Sequence, residues 1–403
     1  MDICALYSRH VQVCWRAYQV ERWCFLGFAY AVKQAMKSFV QSTVLPIVYN
    51  TYCHKPINER LVVFAHSHGS DMPFSMRLLH QEFKKQGYEV KEHISDYSQM
   101  SMLNKLKAAI RFMKDYAIAH HVVICDYYLP AASCKKRKGT TLTQLWHSGG
   151  LMKKFAYDST QDIDPSYTGN PFANYDNVTI SAPCCREVLA HAMRMNENKF
   201  FATGLSRTDV YYDDVYNSTC EREFFERYPQ AKGRTIILWA PTFRGTAASA
   251  ELVGEDAVLS LSEKLGDDYF VVMKVHPHTD KHRHISTTNI PTERLLPVTD
   301  LLITDYSSVL FDYLLYERPF VLFAPDLWQY ELERGLYVDY RSFPAKVVEN
   351  GDELADAILD SIKEKDRNHQ ELSELRHYYM SACDGVATER VFKLITGTDD
   401  GKL

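Results

Sequence analysis

The chain has 403 residues, 46% of them hydrophobic, enough to build two domains with separate cores and too many for a disordered or fibrous protein. A net charge of −5 and an isoelectric point near 6.3 leave no basic excess for neutralising nucleic-acid phosphates. Ten cysteines are scattered without a CxxC pair or a zinc-like His/Cys spacing, so they read as reduced cytosolic thiols, and no metal or cofactor is expected.

Residues 1–58 read as a helical arm ahead of the first strand. Arg9, Arg16, Arg22, Lys33, Lys37 and Lys55 outnumber Asp2 and Glu21 there, and Trp15, Tyr18, Trp23, Phe25, Phe28, Tyr30 and Phe39 interleave with them. A basic, aromatic-rich amphipathic arm suits the interface of an anionic membrane, and equally suits packing on the protein's own surface or on another copy of the chain. The longest apolar run, Trp23 to Val32, is broken by Gly27 and falls short of the roughly 20 residues a spanning helix needs. The acid at position 2 argues against a secretory signal.

From Arg60 the pattern becomes alternating strands and helices. Strands are expected at Leu61 to Phe64, Tyr88 to Ile94, Val122 to Cys125, Thr140 to Trp146, Val178 to Ser181 and Phe200 to Thr203, with helices at Pro73 to Gln86 and near Met100 to Ala119. Residues 59–205 are thus expected to form one Rossmann-like domain. Residues 206–396 repeat the logic, with strands at Thr235 to Ala240, Tyr269 to Val275, Leu301 to Thr304 and Phe320 to Phe323, and residues 397–403 read as a tail.

Polar clusters follow the strands. The first turn carries His66-Ser67-His68-Gly69-Ser70-Asp71, and the fourth strand ends in Trp146-His147-Ser148-Gly149-Gly150. In the second half the strand ends carry Thr242 to Gly245, Lys274 to His278, and Asp305 to Ser308, the last opening a helix over Ser308 to Glu317. Parallel strands present their carboxyl ends at one edge, so clusters about 30 residues apart should converge there. Ser307 and Ser308 at a helix start favour a phosphate, although serine in that position most often only caps the helix. Lys274, His276, Arg244 and Thr242 form a cationic, hydrogen-bonding set suited to a diphosphate. Asp312, one turn on, fits a ribose hydroxyl or a solvated helix surface. His147 has the titration range of a general base, and also fits a turn histidine satisfied by a carbonyl. No Walker A sequence, GxGxxG or Asp-x-Asp pair is present, so a metal-free nucleotide-diphosphate site is the simplest reading.

Several of these stretches together resemble the motifs of the CDP-glycerol glycerophosphotransferases, the primases and polymerases of teichoic acid and related capsule polymers. They are Trp146-His147 with Gly150 and Lys153-Lys154, Ala240 to Gly245, Lys274-x-His276-Pro277, and Thr304 to Tyr313 with its Asp305-Tyr306-Ser307-Ser308. Thr203-Gly204-x-x-Arg207-x-Asp209 and Asp384-Gly385-x-Ala387-x-Glu389-Arg390 extend the likeness over about residues 60 to 395. The resemblance implies an α/β, GT-B-like architecture with two Rossmann-like domains facing a cleft, the second holding the donor. It implies transfer of glycerol phosphate or ribitol phosphate from a CDP-polyol to a hydroxyl of a lipid-linked or polymer acceptor, with release of CMP. By position His147 matches the family's base and His276 its pyrophosphate-stabilising histidine. Thr242, Arg244, Lys274, Asp305, Ser307, Ser308, Asp312 and Lys154 match substrate-binding positions.

Two departures stand out. Ser148-Gly149-Gly150 replaces a Gly-Thr-Pro sequence and lies nearer the ribitol-phosphate branch. His66 and His68 are additions to the first turn that would touch the acceptor or cap a helix. With the reduced cysteines and the basic arm, the expected location is the cytoplasmic face of the cell membrane. The rival readings are a UDP-sugar glycosyltransferase or epimerase on the same fold, and a non-enzymatic membrane-associated scaffold.

Overall fold

The computed structural model describes residues 34–163, 167, 169–245, 251–275 and 287–398. Most of the basic arm, His276, His278 and the last five residues lie outside them.

Two parallel sheets make the frame. In the first, β1 (Asn58–His66), β2 (Glu89–Ile94), β3 (Ala119–Ile124), β4 (Thr141–Gln144), β5 (Asn177–Thr179) and β6 (Phe200–Phe201) are ordered β2-β1-β3-β4-β5-β6. The second contains β7 (Thr235–Trp239), β8 (Tyr269–Met273), β9 (Leu301–Thr304), β10 (Phe320–Phe323) and β11 (Lys346–Val348), ordered β11-β10-β9-β7-β8. Every pairing is parallel.

Both faces of each sheet are covered, which is why the strands read as continuous apolar runs. Along β1, Leu61, Val63 and Ala65 enter one core while Val62 and Phe64 enter another. Along β7, Ile236 and Leu238 face one side, and Ile237 and Trp239 the other. The period of two thus survives inside an unbroken hydrophobic stretch. Helices supply the covering layers. In Met102–Tyr116 the residues Ala109, Phe112, Met113 and Tyr116 recur at helical spacing and fill the first core, and Ser101 caps the helix by accepting from the Asn104 amide at 3.3 Å.

The last helix, Ala387–Thr396, returns to the first sheet, where Val391 and Ile395 join Val62, Phe64, Leu79 and Phe83 in one cluster. Asp209 accepts from the amides of Ala387 (3.0 Å) and Thr388 (2.7 Å), and Arg390 donates to the Thr203 carbonyl at 2.9 Å. The Thr203-to-Asp209 and Asp384-to-Arg390 motifs are therefore partners in a structural joint.

One expectation is revised, and two elements add to the sequence reading. The helix after β9 runs only over Val309–Tyr313, tightens to a 3-10 turn at Leu314–Tyr316, and stops at Glu317 with φ 52°. β11 is additional: three residues long, it offers no alternation to read. The helix Leu45–Tyr52, preceded by a π-helical turn at Val40–Val44, buries Leu45 and Tyr49 in the first core while Met36, Phe39 and Ile47 stay exposed. Among the described residues no helix is long and apolar enough to cross a membrane.

Candidate active site

His147 follows β4 on a tightly shaped turn. Trp146 adopts φ 55°, unusual for a bulky residue, with its amide donating to Gln144 Oε1 at 3.0 Å. The turn delivers His147 Nδ1 to within 2.8 Å of Asp126 Oδ1, just past β3. Asp126 thereby orients the ring through Nδ1, Nε2 makes no hydrogen bond among the described residues, and the His147 side chain is 48% exposed. Burial pushes the Asp126 carboxyl up, but the hydrogen bond from His147 and the positive charge available from His147, His68 and His66 outweigh it and hold the group below the usual carboxylate range.

The residues after His147 explain how the two halves meet. A Cβ on Gly150, whose φ is 54°, would lie 2.2 Å from Phe311 Cδ1, and one on Gly149 would lie 2.9 Å from Met380 Sδ. Only glycine lets this loop sit against Phe311, three residues beyond Ser308. The Gly150 amide donates to Ser181 Oγ (2.9 Å), which in turn donates to the Tyr379 carbonyl (2.7 Å). The loop that carries His147 is thus packed against the helix that follows the polar turn of the other sheet.

That turn is organised by Asp305. Its Oδ1 accepts from the amides of Thr242 (2.8 Å) and Tyr306 (2.7 Å), and Oδ2 pairs with Arg244 Nη2 at 3.0 Å. Arg244 also forks onto Asp326, at 2.6 and 2.9 Å, donates to the Thr242 carbonyl, and lies over the rings of Tyr306 and Tyr330. The sequence reading of Arg244 as a direct diphosphate clamp changes accordingly. Two carboxylates neutralise it, and it binds the β7 and β9 turns together. Burial pushes the Asp305 carboxyl up against the pull of Arg244.

Other expected residues fall differently. Asp312 is buried, and both its oxygens are held by Arg207, at 3.0 and 2.8 Å, so a fixed internal ion pair replaces the ribose contact. Lys154 lies along Gly335: its amide donates to the Gly335 carbonyl (3.0 Å) and its own carbonyl accepts from Arg334 Nε (3.1 Å). Lys153 points elsewhere. Its backbone bridges Leu336, and its ammonium is lowered by burial and by Arg334 while Asp305 and Asp162 pull it back. No ion pair or hydrogen bond holds that ammonium among the described residues. Lys274 stands at the end of β8 and donates to the Thr288 carbonyl at 3.1 Å. Ser307 Oγ accepts from the Val309 amide at 3.4 Å, while Ser308, the residue at the N-cap position, makes no side-chain hydrogen bond among the described residues. His276 lies outside the described residues.

Sequence reasoning missed Asp126 and Asp326, and at the Lys153-Lys154 pair it gave the substrate-binding role to Lys154 alone. The first two are acids just past strand ends, the position that drew attention to Asp305, and Lys153 was masked by its neighbour.

The chain resembles known proteins over most of its length. A family model described as CDP-Glycerol:Poly(glycerophosphate) glycerophosphotransferase matches residues 47–397. A teichoic acid ribitol-phosphate primase of Bacillus spizizenii is 31% identical over 308 residues, covering 69% of this chain and 76% of the relative. A teichoic acid poly(ribitol-phosphate) polymerase of the same organism is 29% identical over 380 residues, covering 87% of this chain but only 58% of the polymerase. In fold, the wall teichoic acid polymerase TagF superposes with a TM-score of 0.71 at 20% identity, covering 92% of this chain and 98% of that one. A UDP-GlcNAc 2-epimerase of Methanocaldococcus jannaschii superposes at 0.52 with 12% identity, covering 84% of this chain and 99% of that one. The two parallel sheets joined across a glycine-lined seam are thus a GT-B-like fold, and the chain belongs to the CDP-glycerol:poly(glycerophosphate) glycerophosphotransferase family.

Proposed function

We propose that the protein transfers a polyol phosphate from a CDP-polyol to a hydroxyl of a lipid-linked polyol-phosphate acceptor at the inner face of the cell membrane. The observation that carries this is the Asp126–His147 pair, followed at Gly149 and Gly150 by a close approach to Phe311 in the helix that the Asp305-to-Ser308 turn opens. An oriented base on the acceptor side facing a phosphate-binding turn on the donor side is what hydroxyl attack on a diphosphate requires.

In this mechanism the acceptor oxygen attacks the β-phosphorus and its proton passes to His147 Nε2. The new O–P bond forms as the bond from the β-phosphorus to the bridging oxygen breaks, and CMP leaves with that oxygen. Charge on the diphosphate is met by Lys153, Lys274, the Ser308 hydroxyl and, by its position in the motif, His276. Arg244, Thr242 and Asp305 hold the turn that presents these groups. Little covalent chemistry is asked of the protein beyond positioning and electrostatics. The polyol we assign is ribitol, because the relatives named above carry ribitol-phosphate names and Ser148-Gly149-Gly150 departs from the glycerol-type sequence.

His147→Ala tests the base. CMP release should fall by about 10²–10⁴-fold with donor affinity retained. Wild-type turnover in that variant would refute the assignment. Release of UDP from a UDP-sugar, with none of CMP, would instead favour the epimerase-like reading suggested by fold alone.

A further inference from the structure

His66 and His68, the two additions to the first turn, are not used in the transfer steps above. The β1 and β3 ends place His66 beside two other donor atoms. His66 Nδ1 lies 3.7 Å from Cys125 Sγ and 3.8 Å from Asp126 Oδ2, and the three ligand atoms all fall within 4.8 Å of one another. Zinc bonds of about 2.0 Å to nitrogen and about 2.3 Å to sulfur, at a tetrahedral angle, put those two atoms about 3.5 Å apart. The His66–Cys125 spacing is close to that value, and the third donor is near enough to close on the same ion. His66 and Cys125 are buried and so cannot wander, while Asp126 is partly open to the cleft.

We propose that His66, Cys125 and Asp126 form an inhibitory site for a zinc-like transition-metal ion. Nitrogen, thiolate and carboxylate donors select zinc or cobalt over magnesium or calcium. A fourth position is left to water or to His68, whose ring centroid is 5.6 Å from that of His66. On binding, the thiol loses its proton to solvent and the Asp126 carboxylate shares its charge with the ion. Asp126 uses Oδ1 for His147 and Oδ2 for the metal, so the ion withdraws the negative charge that supports His147 as a base. Occupancy and turnover are then opposed. The ligands are too far apart in sequence, at 66, 125 and 126, for any zinc spacing to show.

The test uses the full chain stripped of metal by a chelator. One equivalent of Co²⁺ should produce a near-ultraviolet thiolate-to-cobalt charge-transfer band that zinc abolishes. Cys125→Ser should lose the band, and His66→Gln, a second variant should Cys125→Ser fail to fold, should weaken Co²⁺ binding at least about tenfold. No band in the wild type, or one that survives both substitutions, would overturn the site. The inhibitory role rests on the proposed transfer reaction. Zinc should suppress CMP release by the wild type, and His66→Gln should need at least about tenfold more zinc for the same effect. Equal inhibition of both proteins would overturn the role, while the cobalt band reports the site whether or not the transfer reaction is correct.

Discussion

Asp126→Asn isolates what orientation of the base contributes. The substitution keeps the size of the side chain at the 2.8 Å contact with His147 Nδ1 and removes the charge. The neutral amide offers either an oxygen to a protonated Nδ1 or an N–H that forces the other tautomer and occupies the ring. General-base catalysis is worth about 10²–10⁴-fold, so turnover should fall by that range, or about 3–6 kcal/mol at roughly 1.4 kcal/mol per decade. The proposed donor contacts lie outside the Asp126–His147 pair, so the donor KM should stay within about threefold. The assay is CMP release at saturating donor, with thermal melting to confirm folding. Residues acting as a unit are non-additive, so Asp126→Asn combined with His147→Ala should be no worse than His147→Ala alone. Turnover of Asp126→Asn within about threefold of wild type, or multiplicative losses in the double variant, would refute the coupling.

Other consequences follow from the same contacts. Gly150→Ala forces a methyl group onto Phe311 at positive φ and should cost about 1–3 kcal/mol in chemical denaturation, with turnover falling too; a neutral result would remove the seam argument. Asp312→Asn should destabilise by about 3–5 kcal/mol by stranding the buried Arg207, whereas a stable protein with a raised donor KM would restore the ribose role. Lys153→Met should raise the donor KM at least about tenfold while Lys154→Met leaves it near wild type, and the reverse pattern would return the role to Lys154. Burial pushes Asp326 up, but the hydrogen bond and charge of Arg244 hold it below the ordinary carboxylate range. Its stabilising effect is full above the unfolded value of about 3.9 and is lost as pH falls through the lower folded value. Urea midpoints of the wild type should therefore drop more steeply below about pH 4 than those of Asp326→Asn.

The alternation of apolar runs and polar strand ends made ten of the eleven strands among the described residues readable, because parallel strands buried on both faces need continuous hydrophobic stretches. β11 escaped because Lys346–Val348 is a short edge with one buried residue. The site divided along a different line. His147 and Asp305 could be found from strand ends and motif order, but what each residue touches depends on long-range geometry. Arg244 looked like a free cation until Asp305 and Asp326 were seen on either side of it. Asp312 looked like a ligand to ribose until Arg207, 105 positions away, took both its oxygens. Charge pairing across such separations leaves no local pattern, and Gly149 and Gly150 stood out in the sequence only as a motif departure, their packing on Met380 and Phe311 being a long-range contact too.

The most direct test of the transfer reaction offers the purified protein CDP-ribitol and CDP-glycerol separately, with a polyol-phosphate acceptor, and measures CMP. We predict acceptor-dependent CMP release, faster with CDP-ribitol, that disappears in His147→Ala. No CMP from either donor in the presence of a competent acceptor, or CMP release that His147→Ala leaves intact, would contradict it.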